Sequence, residues 1–275
     1  MGSSPYFAIR VNYQLVEDEK VNFPLAASVF ASETYVDDLF VGGVDKVSTI
    51  ALRDDLLQLA SASGLRLRKW FSNSVDLLTG LDQSDHGLAI ELPYDNSSGF
   101  KVLGILWSPS DDAFHFHINE VHDEISTKRS ILSAVSKLYD PMGWLAPVTI
   151  VAKILLQKLW LQKLDWDHTL PSDLAQEWYD FCTKLPALSR ISIPRWTFCG
   201  RDTNSIEIHG FSDASRLAYS AVVYSRIISE SGEIAVKLLI AKTKVAPIKT
   251  VSIPHLELWA ATLLTRLIPF VVSSL

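Results

Sequence analysis

The chain is poor in sulfur-containing residues. Among 275 residues there are only two cysteines, Cys182 and Cys199, and two methionines. The cysteines lie far apart and form no CxxC pair, so the sequence carries no dithiol motif of that spacing. We therefore expect two buried free thiols in a reducing compartment, which predicts a cytoplasmic or nuclear protein.

Several targeting and catalytic motifs are also absent. The N-terminal "MGSSPYFAIRV" has no basic start followed by an apolar core, and Tyr6 stands where a myristoylation signal needs Ser or Thr. Charged residues or prolines interrupt the apolar stretches before they reach about 18 residues, so no membrane contact is predicted. No GxSxG, P-loop, GxGxxG, Asp-Thr-Gly or Asp-Ser-Gly is present, and no aspartic protease is expected.

What is present is ample material for a folded core. Hydrophobic residues make up 48% of the chain and charged residues 20%, which excludes a disordered protein, and the length suggests two domains with a connector. The net charge of −6 disfavours a nucleic-acid binder, but the charge is uneven. Residues 127–163 carry six basic side chains against Asp140, and residues 234–256 carry four lysines and no acid. Each tract is either a nucleic-acid contact or a solvated face.

The apolar periodicity predicts a mixture of strands and helices. A strand–turn–strand is expected over 29–43, a helix over 44–63 ending at Gly64, and a short strand over 65–70. A hairpin crosses 108–112, and two helical pieces over 126–164 are broken at 141–143. The remaining expectations are a helix from Ser172 (as its cap) to Leu185, three strands within 205–243, and a helix starting at Pro254.

The segment "ETYVDDLFVGG" places Asp37 and Asp38 side by side between apolar runs. Adjacent aspartates at a hairpin tip are commonly plain turn residues. However, the apolar flanks embed this turn, and Gly42 and Gly43 leave room for a close backbone approach. A carboxylate pair on a rigid hairpin is what a two-magnesium site for phosphoryl chemistry requires.

This segment resembles the polymerase motif of reverse transcriptases, and the chain as a whole resembles the Pol polyprotein of BEL/Pao-type LTR retrotransposons. The resemblance covers nearly the whole chain in the order of that family. It rests on "GSSPYFAIRV", "YVDD", "LRLRKWFSNS", "KVLGILW", "TKRSILSAVSKLYDPMGWLAPVTIVAKILLQKLW", "HGFSDASRLAYSAVVYSR" and "KTVSIPHLELWAATLL".

The resemblance implies an α+β chain of three parts. Residues 1–125 would be part of a reverse-transcriptase palm, 126–200 a helical thumb and connection, and 201–275 the first part of a ribonuclease H-like α/β domain. The family pattern places a further polymerase aspartate before Met1 and further ribonuclease H ligands after Leu275. The expectation is therefore that each site in this chain is incomplete and that polymerase activity of the chain alone is slight.

The same resemblance assigns the polymerase site residues. Asp37 and Asp38 would be metal ligands, with Asp37 the more important. Lys69 would lie near the incoming nucleotide, unless it is a solvated lysine beside Trp70. Gly104 and Trp107, together with Leu103, would shape the grip on the primer, although Trp107 is equally explained as a core aromatic residue.

Asp213 and Glu257 are the corresponding pair for ribonuclease H. Alone, Asp213 is typical of a turn cap, and Glu257 of a favourable charge in the first turn of a helix. In this order, with two strands between them, they resemble the ligands that share Mg²⁺ (or Mn²⁺) and direct water at an RNA phosphodiester. The implied partners are a primer-template or RNA–DNA hybrid and the rest of the polyprotein.

The first basic tract would follow the phosphate backbone, with a salt-dependent affinity. A metal site is another possibility, because the sequence carries His115, His117 and His122 close together. A solvated strand face explains these histidines better. Two alternatives remain: a retroelement-derived host protein that binds nucleic acid or protein without catalysis, and a truncated gene without a stable product. The residues expected at phosphates are Lys128, Arg129, Lys137, Lys153 and Lys158.

Overall fold

The fold was obtained as a computed structural model that describes residues 4–87, 100–102, 104–118, 127–198 and 203–274. Contacts within the chain separate two compact units, Met1–Asn96 and Ser97–Leu275. The boundaries expected at 125 and 200 both fall inside the second unit. The division into three parts stays a prediction.

The first unit is mainly helical. It contains α1 (Ser4–Glu19), α2 (Pro24–Phe30), a hairpin of β1 (Thr34–Tyr35) and β2 (Asp38–Leu39), and α3 (Lys46–Ala62). Asp45 caps α3 by accepting from the Ser48 N–H, and Gly64 follows the helix at φ +72°. The end of the helix before Gly64 is as the sequence predicts. The core of the unit is built from α1, α2 and α3 through Leu15, Ala26, Phe30, Leu56 and Leu59.

The strands expected in this unit are shorter than predicted. Val29 and Phe30 belong to α2 rather than to a strand, because Phe30 is 4% exposed in the helical core. The hairpin consists of only two residue pairs, Thr34–Leu39 and Tyr35–Asp38. The strand expected over 65–70 is also wrong, since among the described residues it forms a single bridge, from Trp70 to His86.

The second unit contains a three-helix layer formed by α4 (Lys128–Ser136), α5 (Ala146–Leu161) and α6 (Ser172–Cys182). The break between α4 and α5 falls where the sequence predicts it. Pro171, not Ser172, occupies the cap position of α6, and the helix ends at Cys182 rather than Leu185. The helices bury Ile131, Leu155, Leu159, Leu174 and Trp178 against one another.

A four-stranded antiparallel sheet belongs to the same unit. Its order is β3 (Phe100–Val102), β4 (Ile105–Ser108), β5 (Ala113–His115) and β6 (Ser192–Pro194). The hairpin expected across 108–112 is confirmed as β4–β5. The edge strand β6 comes from beyond α6, so the chain after the helices completes the sheet that begins before them.

The last part of the chain forms a three-stranded antiparallel sheet covered by one helix. The strands β7 (Thr203–Ala214), β8 (Ala218–Ser229) and β9 (Ile234–Val245) pair in sequence order, and α7 (Ile253–Val272) packs on one face. The three predicted strands and the helix beginning near Pro254 are confirmed. The core between α7 and the sheet contains Ala221, Val223, Ile240, Leu263, Leu267 and Val271.

α7 is also long and apolar enough to cross a membrane by length and composition, over Ile253–Ser274, although the sequence predicts that no apolar stretch is long enough. A core helix passes the same test. In this fold one side of α7 is buried on the sheet, through Leu256, Ala260, Leu263, Leu267 and Val271.

The turn between α4 and α5 fastens the helical layer to the edge of β9. The Ala241 N–H donates to the Met142 carbonyl at 2.8 Å, and the Trp144 indole N–H donates to the Leu239 carbonyl at 3.2 Å. At the far end of α5, Gln157 Nε2 donates to the Ala246 carbonyl. α5 therefore runs along β9 and covers the outer edge of that strand.

Candidate functional site

Asp37 and Asp38 lie at the tip of the hairpin β1–β2. Val36 precedes them with φ +59°, a left-handed conformation that is strained for a β-branched residue. A positive φ at only the first central residue is the φ pattern of a type II′ turn. Both aspartates are exposed, so the hairpin presents two adjacent carboxylates to solvent. The sequence expectation of a tight turn carrying this pair is confirmed.

The hairpin does not by itself complete a metal site. Within the described chain, no group of three or more His, Cys, Asp or Glu side chains is placed to hold a metal ion. Mg²⁺ demands near-octahedral oxygen ligation, so two exposed aspartates without a third anionic ligand do not fit it.

The other residues assigned to the polymerase site are placed as follows. Lys69 is exposed and has φ +59°. Gly104 has φ +87°, and a β-carbon there would come within 2.7 Å of the Tyr139 ring. The Trp107 indole N–H donates to Asp112 Oδ1 at 3.1 Å, which ties it into the tip of the β4–β5 hairpin. Leu103 lies outside the described residues.

Asp213 and Glu257 lie at the same end of the three-stranded sheet. A β-carbon on Gly210 would come within 2.7 Å of Leu264, so these positions are level on β7 and α7. Glu257 is two helical turns before Leu264, about 10.5 Å along the axis, and Asp213 is three residues beyond Gly210, about 10 Å along the strand. Both offsets run toward the same end of the sheet. The Trp259 ring, close to Glu257 on α7, lies 5.9 Å from the ring of Tyr219, and Tyr219 is paired with Ala214, the neighbour of Asp213.

The two carboxylates nevertheless point to different sides of the sheet. Side chains alternate along a strand, so Gly210 faces α7 while Asp213 shares the opposite face with Phe211. Both Asp213 and Glu257 are exposed, and Asp213 Oδ1 accepts from the Ala214 N–H at 2.8 Å. As at the hairpin, the described residues supply no third ligand, and this pair does not fit a metal ion.

Lys128, which the sequence places at a phosphate, is buried against two indole rings. Its residue is 4% exposed, and Nζ lies 3.4 Å from the ring centroid of Trp160 and 5.1 Å from that of Trp166. The ammonium also donates to the Leu164 carbonyl at 3.5 Å. A cation over an indole face is held by the ring quadrupole, so Lys128 joins the start of α4 to the last turn of α5 and to the segment that follows it.

Two more members of the basic tract are engaged in ion pairs. Arg129 forms a bidentate pair with Asp167 at 2.7 and 3.0 Å, and this pairing raises the arginine pKa and lowers the aspartate pKa. Lys158 pairs with Glu177 at 2.7 Å. Lys137 and Lys153 are exposed, and the lysine ion pairs of the described chain involve other residues. Only part of the tract is therefore free to meet phosphates.

Within the described residues, His115 and His117 are not assembled into a metal site. His115 contacts Asp111 at 2.8 Å, and hydrogen bonds from Ser108 and His115 lower the pKa of that aspartate. His122 lies outside the described residues, and no three-ligand group within the described chain includes His115 or His117.

Asp140 is an unusual carboxylate that the sequence did not single out. Its Oδ2 accepts from the Leu145 N–H at 2.8 Å, while its Oδ1 is buried without a hydrogen-bond partner within the described chain. Burial raises the pKa of Asp140 above the usual range, despite the Leu145, Trp144 and Gly143 N–H groups and Lys153, which lower it. The only sequence signal is its place before Pro141–Gly143, at the break between two helices.

Comparison with protein-family models finds a match to the Pao retrotransposon-like RNaseH-like domain over residues 127–275. This range is more than half of the chain and includes both the three-helix layer and the β7–β8–β9 sheet with α7. A search of curated proteins finds no match. The mixed helix and sheet architecture of these residues is compatible with an RNase H-like α/β domain. The chain belongs to the family of Pao retrotransposon-like RNaseH-like domains.

Proposed function

We propose that this chain is the part of a retrotransposon polymerase and ribonuclease H protein that holds an RNA–DNA hybrid on its RNaseH-like unit. The observation that carries this proposal is the placement of Asp213 and Glu257 at one end of the β7–α7 layer, level with each other. The family match over 127–275 supports it. In the whole protein the activity would be hydrolysis of the RNA strand near the end of the sheet that carries Asp213 and Glu257.

The proposal does not extend to hydrolysis of the RNA strand by this chain alone. Asp213 and Glu257 lie on different faces of the sheet, and the described residues do not form a metal site. Under the proposal, the residues of this chain bind and orient the RNA–DNA hybrid. Some of the exposed lysines on the unit supply the attraction to phosphate, and the small residues Ser212, Ala214 and Ser215 around Asp213 leave space for a nucleic-acid backbone.

The test is binding of a fluorescent 20-base-pair RNA–DNA hybrid between 50 and 200 mM salt, with DNA duplex of the same sequence as the comparison. We expect binding that weakens steeply with salt, because phosphate contacts release counterions. We also expect a preference for the hybrid, because RNA is distinguished by its shape and 2′-hydroxyl groups. Absence of binding at 50 mM salt would remove the proposal.

A reverse-transcriptase role for the first unit is a further part of the proposal. Asp37 and Asp38 on the strained hairpin support it, since a turn with Val36 at φ +59° raises both carboxylates away from the core. We expect little primer extension on an RNA template with Mg²⁺, because two carboxylates alone do not fit the ion. Robust extension by the chain that is lost in Asp37→Asn would contradict this expectation.

A second candidate function is binding of nucleic acid or protein without any catalysis, as in a retroelement-derived host protein. The placement of Asp213 on the face of the sheet opposite α7, away from Glu257, favours it. Hybrid binding that is unchanged by Asp213→Asn and Asp37→Asn, with no cleavage of the RNA strand in Mg²⁺ or Mn²⁺, is the result expected for this candidate. Cleavage that is abolished by Asp213→Asn, but not by Asp37→Asn, would favour the enzyme.

A further inference from the structure

The second basic tract, over 234–256, is divided by the fold into separate places. Lys242 and Lys244 lie near the end of β9, and both are exposed. Their strand partners are Ala221 and Tyr219, which face α7. The side chains of Lys242 and Lys244 therefore project from the same face of the sheet, the face on which α7 packs. Their Cα atoms are about 6.6 Å apart along the strand.

A third lysine reaches the same place from α5. This helix begins beside the Trp144–Leu239 hydrogen bond and passes Ala246 at Gln157. Lys153 is one turn before Gln157, on the same side of the helix and about 6 Å nearer its start. This spacing places Lys153 level with residues 242–244 of β9. The Lys153 side chain is exposed.

The surroundings of these three lysines leave their charge largely uncompensated. The lysine ion pairs among the described residues involve Lys20, Lys46 and Lys158 instead. Asp140 is close enough to Lys153 to feel its charge, but that carboxylate is buried and its pKa is raised. Glu257, the acidic residue in the first turns of α7, is on the side of the helix that faces β7, which is the side away from β9. Trp259 is on the side that faces β8.

An exposed aromatic residue borders the lysines. Trp259 is 38% exposed and its ring meets that of Tyr219, the strand partner of Lys244. Positive charge beside an aromatic surface is the combination that binds nucleic-acid backbones and their bases. The surface lies at the same end of the sheet as Asp213 and Glu257.

We propose that Lys153, Lys242 and Lys244 form a phosphate track, which carries one strand of a bound RNA–DNA hybrid across β9 toward the first turns of α7. This inference rests on the proposed function and names the surface through which the hybrid is held. Phosphate contacts position the duplex without reading its sequence, so the track predicts binding that is independent of base composition.

The experiment compares the salt dependence of hybrid binding in the full chain and in Lys242→Gln/Lys244→Gln. Each lost phosphate contact reduces the slope of log K against log salt by about 0.9, so the double variant is expected to lose about 1.8. Adding Lys153→Gln should lower the slope by about 0.9 more. The matched control is Lys163→Gln/Lys184→Gln, which removes two exposed lysines of the same unit outside the track and should leave the slope unchanged.

The experiment distinguishes failure of the proposed function from failure of the phosphate track. If the unmodified chain does not bind hybrid, the proposed function and the track fall together. If it binds and both double variants show the same slope, the track is wrong while the proposed function stands. Thermal unfolding of each variant, expected to be unchanged because these side chains are exposed, shows whether a lost slope reflects lost fold. If Lys242→Gln/Lys244→Gln unfolds early, Lys242→Arg/Lys244→Arg must restore both the fold and the slope, and failure to restore the slope counts against the track.

Discussion

Gly143 lies against Ala241 so closely that a β-carbon on the glycine would come within 1.8 Å of the Ala241 carbonyl oxygen. The glycine also has φ +72°, where other residues are strained. The turn between α4 and α5 can therefore hydrogen-bond to the edge of β9 only with glycine at this position. This contact is one of several that join the helical layer to the three-stranded sheet.

We expect Gly143→Ala to lower the free energy of unfolding by roughly 2–4 kcal/mol, since it combines backbone strain with a clash against backbone atoms. Urea denaturation followed by circular dichroism measures the change. Gly232→Ala is the matched control, because Gly232 has φ +83° but nothing within 4 Å of a β-carbon, so it bears the strain alone. Equal losses in the two variants would show that the contact with Ala241 is not tight.

Lys128 is expected to matter for stability and not for nucleic-acid binding. Lys128→Met fills a similar volume but removes the cation held over Trp160, so unfolding should become easier by roughly 1–2 kcal/mol. The salt slope of hybrid binding should not change. Lys137→Met, at an exposed lysine, serves as control for stability. A reduced slope in Lys128→Met would mean that the ammonium reaches phosphate after all.

Asp140 should make stability depend on pH. Its folded pKa is raised by burial, so the folded state holds the proton more tightly than the unfolded state does. The contribution of this group is therefore most favourable below the ordinary carboxyl pKa of about 3.9 and is lost as pH rises through the raised value. The unfolding free energy of the native chain minus that of Asp140→Asn should fall as pH rises from about 4. A difference that is constant, or that grows with pH, would contradict the burial of a carboxylate here.

Much of the second unit could be predicted from sequence because its local signals agree with its packing. The strands β7, β8 and β9 alternate in side-chain character, and α7 begins at the proline-marked start that the sequence indicates. The hairpin β4–β5 was likewise predictable. What the pattern could not show is that β6 joins this sheet from beyond α6, since that pairing links residues about 80 positions apart.

The site residues were only partly predictable. Adjacent aspartates and a turn are visible in the sequence, and so is the order of Asp213 and Glu257. The face of the sheet on which Asp213 points depends on the register against Gly210 and α7, which no local pattern encodes. The burial of Lys128 depends on Trp160 and Trp166, more than 30 residues away, and local charge counting treated it as an exposed base.

Hydrogen exchange of the full chain, with and without a 20-base-pair RNA–DNA hybrid at 50 mM salt, tests the central claim most directly. The account predicts slower exchange at residues 242–244 of β9 and in the first turns of α7, at the end of the sheet that carries Asp213. Exchange in the turn at Gly232, at the opposite end of β9, should be unchanged. Protection that is absent from β9 and α7, or confined to residues 4–87, would contradict an RNaseH-like unit that holds the hybrid through this surface.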